Sequence, residues 1–210
     1  MKSLDALPFV LPPGQLAELR AAYATPPRAY HDFAHVEAVL GHFADVARGP
    51  GWQQPGEVAL AILYHDAIYV AGATDNEVRS AEYAVDALAH WPAPIPVRPT
   101  RVAELIALTA RHGGLGTDAF ALDPDGDDTC LFLDCDMAIL GADADTFDAY
   151  DRGIATEYRG RVPGWMYRLQ RRRFLKALLA RPRIFLSDFF HERLDGRARA
   201  NLRRAITEKR

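Results

Sequence analysis

Only 2 cysteines, Cys130 and Cys135, occur in the 210 residues. Five apart in one apolar stretch, they offer neither a disulfide framework nor a zinc-knuckle spacing, and they read as buried thiols in a reducing compartment. Long hydrophobic runs are missing too. The stretch from Val58 to Tyr64 falls far short of the roughly 18 to 20 residues that span a bilayer. Met1-Lys2-Ser3-Leu4-Asp5 carries one positive charge but no apolar segment and no small-residue cleavage site, so no secretory signal is expected. Strand-like alternation is scarce, and there is no internal repeat, low-complexity tract or long linker. These absences point to a cytoplasmic protein that does not cross a membrane.

What is present is ordinary for a globular chain: 49% apolar and 25% charged residues, in a length that suits one domain. The net charge of −3 hides an asymmetry, because Arg159 to Arg210 holds 16 Lys and Arg against 4 Asp and Glu. A basic tail can bind nucleic acid. Here, though, Trp165, Met166, Leu169, Phe174, Leu175, Leu178 and Leu179 interleave the charges. That pattern is a basic helix packed by one face on an acidic body, so nucleic acid is not an expected partner. An exposed apolar face on a terminal helix leaves room for a homodimer.

Helical period dominates, and the expected fold is all-α with about nine helices. Gln15 to Tyr23 follows Pro12-Pro13. Asp32 to Val46 sets Phe33, Val36, Val39, Leu40 and Phe43 on one face. Glu57 to Val70 is apolar around most of its circumference, which marks a central helix. Thr74-Asp75-Asn76-Glu77 has the form of a capping box opening a helix to His90. Pro92, Pro94 and Pro96 force an extended connector. Thr100 can cap a helix ending at Gly113-Gly114. Asp123 to Asp128 reads as a solvated acidic turn that fails the calcium-loop pattern, because its sixth position is Asp128 rather than Gly. Thr129 to Leu140, Asp145 to Tyr158, Trp165 to Ala180 and Phe189 to Ile206 complete the set. The whole chain, 1–210, reads as a single domain, with a core of about 28–141 carrying the basic helices of 145–208.

The chemistry lies in histidines and aspartates set among apolar residues. His65-Asp66 interrupts Leu60-Ala61-Ile62-Leu63-Tyr64, His35 precedes Val36, and Asp134 and Asp136 stand in Leu131 to Leu140. Burying an unpaired carboxylate costs several kcal/mol, so Asp66 needs a cation or several donors. Imidazole with carboxylate suits Mn, Fe, Co, Ni or Zn better than calcium, and Mg is also admitted.

The order His35, His65-Asp66, Asp136 resembles the H…HD…D signature of HD-superfamily metal-dependent phosphohydrolases. The wording also resembles their predicted bacterial subfamily, in Arg28-Ala-Tyr30-His31-Asp-Phe-Ala-His35, Tyr64-His65-Asp66-Ala-Ile-Tyr69, Asn76-Glu77-Val-Arg79-Ser80-Ala81 and Leu133-Asp134-Cys-Asp136-Met-Ala-Ile-Leu140-Gly141. Glu157-Tyr158, Arg171 to Ala180 and Ala198-Arg199-Ala-Asn201-Leu202 extend the likeness to nearly the whole chain.

That resemblance implies an HD-type helical fold and a metal held by His35, His65, Asp66 and Asp136. Asp134 is the alternative ligand, or a group that supports one. The implied reaction is hydrolysis of a phosphomonoester or pyrophosphate bond in a small phosphorylated metabolite, a nucleotide in the first instance. The ion would acidify its water and polarise the phosphoryl group, and Asp66 would also orient the attacking water. By the same analogy Glu77 assists at the leaving phosphate, unless it only closes the capping box with Thr74. His112 lines the pocket, holds a second metal, or meets a helix C-terminus. His31 caps or supports rather than binds metal. Arg28 and Arg111 could grip phosphate, and Asn76 stands with them as a substrate contact. The alternative is a non-catalytic HD protein that binds metal or nucleotide.

Overall fold

The structure is a computed structural model that describes residues 3–116 and 118–207. It is all-helical, with nine α-helices and no strand among the described residues. They are α1 Pro13–Ala24, α2 Phe33–Arg48, α3 Pro55–Tyr64, α4 Asn76–His90, α5 Pro99–Thr109, α6 Gly126–Met137, α7 Ala144–Glu157, α8 Gly164–Ala180 and α9 Asp188–Thr207. Short 3-10 turns at His112–Gly114 and Ala138–Gly141 follow α5 and α6. No helix of the described residues is long and apolar enough to cross a membrane.

The core forms around α3, which packs on α2, α4, α5 and α6. Proline at its first position needs no hydrogen-bond partner for the missing N–H, and every residue from Gly56 to Tyr64 is buried. The expected stripe on α2 is also found, with Val36, Val39, Leu40 and Phe43 buried. Asp32 starts α2 as its N-cap, accepting from Ala34 N and His35 N at 2.9 and 3.3 Å.

Three local expectations are corrected. First, α3 ends at Tyr64 and does not continue to Val70. Side chains from elsewhere take over the backbone beyond it. Arg28 donates to the carbonyls of Asp66 and Ala67, Ser80 exchanges bonds with Ile68, and Asn76 does the same with Val70. Helical period cannot register partners so far away in sequence.

Second, the capping box does not form. The N-cap of α4 is Asp75, without a side-chain cap bond, and Thr74 lies outside the helix. Likewise α5 starts with Pro99 at its first position rather than with a Thr100 cap, and it stops at Thr109.

Third, the acidic segment before α6 is a structural joint rather than a solvated turn. Asp128 is only 2% exposed and accepts from Gln53 N and Gln54 N at 3.0 and 2.6 Å, tying α6 to the start of α3. Asp123 and Asp125 pair with Arg101 and Arg98.

The basic C-terminal third spends part of its charge within the fold, while most of its arginines stay exposed. Arg171 pairs with Asp151 and Arg204 with Asp148, both on α7, while Arg199 joins Asp195 to the carbonyls of Leu179, Arg181 and Pro182. Cys135 is buried, Cys130 is half-buried, and both are free thiols.

Candidate metal centre

Three elements bring the donors together. The Asp32 cap fixes the first turn of α2, which carries His35. His65 is the C-cap of α3, and Asp66 follows it in the turn clamped by Arg28. Asp136 occupies the end of α6, one residue before its last. Two of the donors therefore stand at the mouth of a helix rather than within one, contrary to the reading of the apolar run. His65 keeps helical backbone angles and Asp66 follows just past the helix end, and both adjacent side chains come close to His35 Nε2.

The Nε2 atoms of His35 and His65 lie 3.1 Å apart. Asp66 Oδ2 is 3.3 Å from His65 Nε2 and 3.7 Å from His35 Nε2. Asp136 Oδ1 is 3.2 Å from His35 Nε2 and 3.6 Å from His65 Nε2. His35, His65 and Asp66 have donor atoms all within 4.8 Å of one another and could hold a metal ion.

The chemistry of the donors fits an ion. His65 Nδ1 lies 2.8 Å from the carbonyl of Ile62, which holds the proton on that nitrogen and turns the Nε2 lone pair inward. His112 Nδ1 lies 2.9 Å from Asp136 Oδ2, close enough for an ion pair but without the alignment of a hydrogen bond.

Electrostatics points the same way. Burial would push His65 down, yet Asp66 and Asp136 hold it well above the usual imidazole range. Burial would raise Asp66, but His65 and then His31 bring it below the carboxylate range. Asp136 is likewise held well below that range, against burial, by His112, His35 and His65. A field that keeps a proton on a buried imidazole and strips one from a buried carboxyl also attracts a cation.

A cavity of about 140 Å³ opens beside the group, lined by Asp66, Asp136, His31, His112, Glu77 and Thr109 and walled by Tyr30, Tyr69, Tyr150 and Phe174. A larger one, about 420 Å³, lies on the other side of His35 and Asp136, but His65, Asp66 and His112 do not line it. The largest groove, between α7, α8 and α9, touches none of these groups.

The remaining expected residues part company. Glu77 is half-buried and lines the small cavity. Asp134 turns away from the ligands. Two positions along a helix are about 200° apart, and Asp134 accepts from Leu186 N, Ser187 N and Ser187 Oγ at 2.8, 2.7 and 2.6 Å.

Arg28, expected at the phosphate, instead donates through Nη1 and Nη2 to the carbonyls of Ala22, His31, Asp66 and Ala67, as a structural clamp. Asn76 is corrected in the same sense, since its amide donates to Val70 O and accepts from Val70 N. Arg111 is exposed and lies outside the cavity lining.

Glu157, which the sequence marks only as part of the family likeness and without a role, stands beside the site. Its Oε1 accepts from the backbone N–H of Ala29, Tyr30 and His31 at 2.9, 2.8 and 3.0 Å, and its Oε2 lies 2.7 Å from His31 Nδ1. Gly153, a turn earlier on α7, lets this happen. A Cβ there would stand 3.0 Å from Ala29 O and from Tyr30 Cβ. Apart from that likeness, nothing in sequence gives Glu157 this brace.

No family model matches the chain, and no curated protein and no solved structure matches it.

Proposed function

We propose that the protein is a metal-dependent phosphohydrolase of the HD type, acting on a small phosphorylated metabolite. The observation that carries this reading is the convergence of two imidazole nitrogens 3.1 Å apart with two carboxylates, beside a cavity that also holds His112 and Glu77. A divalent transition ion (Mn, Fe, Co, Ni or Zn, with Mg also admitted) held by His35, His65, Asp66 and Asp136 would polarise a phosphoryl oxygen and acidify water.

The chain's own groups have distinct tasks. Asp66 lines both the metal group and the cavity, so its carboxylate can orient the attacking water. His112 lines the cavity with its Nδ1 against Asp136, a position from which it can hand a proton to the leaving oxygen. Glu77 faces the same cavity from α4 and is the second candidate for handling that proton. The setting is a reducing compartment such as the cytoplasm, where Cys130 and Cys135 stay as free thiols.

The test is elemental analysis of the purified protein, followed by turnover of a panel of phosphate esters with the metal found. About one transition ion per chain, with metal-dependent release of phosphate, is the expected result. A protein that holds no metal even after reconstitution with manganese would sink the proposal.

A further inference from the structure

We infer that the site takes a small phosphate monoester, and that His31, braced by Glu157, is the protein group that grips its phosphate. The inference rests on the phosphohydrolase reading above and deepens it.

The first argument is charge. Three carboxylates, Asp66, Asp136 and Glu77, face the small cavity, and no Lys or Arg is among its described lining residues. Arg28, the nearest candidate in sequence, is occupied by four carbonyls. A phosphate monoester brings one phosphoryl group, whose oxygens a metal and an imidazole can meet directly. Each further phosphate of a di- or triphosphate would enter a carboxylate-lined space with no guanidinium to meet it, and an uncompensated buried charge is expensive.

The second argument is size and lining. At about 140 Å³, the cavity is well below the roughly 300–1,000 Å³ of pockets that enclose drug-sized ligands. Its walls beyond the charged groups are Tyr30, Tyr69, Tyr150, Phe174 and the aliphatic Met137, Ile139 and Leu140. They suit a compact alcohol with an apolar face. A nucleoside monophosphate would leave its base outside.

The third argument is the fixed direction of His31. Glu157 is anchored by three backbone N–H groups, and its other oxygen holds His31 Nδ1. Tyr69 stacks on the ring, with centroids 4.1 Å apart. With Nδ1 and one face occupied, Nε2 is the polar atom left for the cavity that His31 lines. From that position Nε2 can meet a phosphate oxygen. The Nδ1 of His112 lies against the ligand Asp136 and that residue serves the leaving oxygen, which leaves His31 as the imidazole for the phosphate itself.

The experiment compares wild type with His31→Gln, both loaded with manganese. Metal content, melting temperature, inhibition by inorganic phosphate, and kcat and KM for phenyl phosphate and phenyl diphosphate are measured. The expected result is unchanged metal content and fold in the variant. Its inhibition constant for phosphate and its KM should rise about tenfold to a hundredfold, the range of one charge-assisted hydrogen bond, with a smaller change in kcat. Wild type should prefer phenyl phosphate over the diphosphate by about tenfold or more in kcat/KM.

An unchanged phosphate constant, or equal turnover of the diphosphate, overturns the inference while leaving the phosphohydrolase reading intact. Absence of metal, or hydrolysis of neither ester, removes that reading first. Should His31→Gln fail to fold, nitrogen-15 histidine spectra of the zinc-loaded wild type read the same contact. The His31 Nε2 resonance should move on adding phosphate, and a stationary one overturns the assignment.

Discussion

His35 Nε2 and His65 Nε2 face each other at 3.1 Å across the junction of α2 and α3, with Asp66 and Asp136 beside them. Two imidazoles aimed at one point are a costly arrangement unless a cation or a shared proton joins them. The distance therefore ties the packing of two helices to the chemistry of the site.

Removal of one ring should remove the ion. His65→Ala and, separately, Asp66→Ala are expected to lose the transition metal found in wild type. Added manganese should then raise the melting temperature of wild type but not of the variants, because an ion stabilises only a fold that binds it. Elemental analysis paired with thermal melting checks both. Stoichiometric metal in either variant would contradict the ligand assignment.

Asp134 and Asp136, two residues apart, should fail in different ways. Asp134→Ala strands three donors on Leu186 and Ser187, one of them buried and two half-buried. It should cost about 3 kcal/mol, on the order of 10 °C in melting temperature, with metal stoichiometry preserved. Asp136→Asn should keep the fold and lose most of the metal. Melting curves and metal content measured on the two variants side by side separate the roles.

Arg28 should prove a matter of geometry rather than charge. Its guanidinium reaches carbonyls of α1, the loop before α2 and the turn after α3 at once. Arg28→Lys keeps the charge but cannot span them. Destabilisation of about 2–4 kcal/mol is expected, with weaker metal binding because the turn bearing Asp66 is loosened. Chemical denaturation and metal titration measure the two effects, and a Lys variant equal to wild type would refute the clamp.

Acid should act through Glu157. Burial would raise this carboxyl, but the bond from His31 and the backbone N–H groups dominate and hold it at about 2, against a usual 4.5. A depressed folded pKa adds stability that is fully present above the unfolded value, about 4.5, and is lost as the pH falls toward 2. Glu157→Gln should therefore be less stable than wild type near pH 7, with the gap narrowing between pH 4.5 and 2. Denaturation at a series of pH values tests it, and a gap that stays constant would contradict the assignment.

Much of this architecture can be read without a structure. The helical period of α2 and α3, the central burial of α3 and the all-α class follow from which residues are apolar and how they recur, a property of the chain alone. So does the suspicion around His35, His65, Asp66 and Asp136, because a polar group within an apolar run announces its own cost. Direction was not legible. That Asp136 faces the histidines while Asp134 holds α9, that Arg28 and Asn76 serve backbone rather than substrate, and that Glu157 braces His31 from 126 residues away all depend on which distant groups the packing brings within about 3 Å. Local pattern reports burial, a property of one residue and its near neighbours. A hydrogen bond or a ligand set is a relation between residues, and only the tertiary structure decides who the partners are.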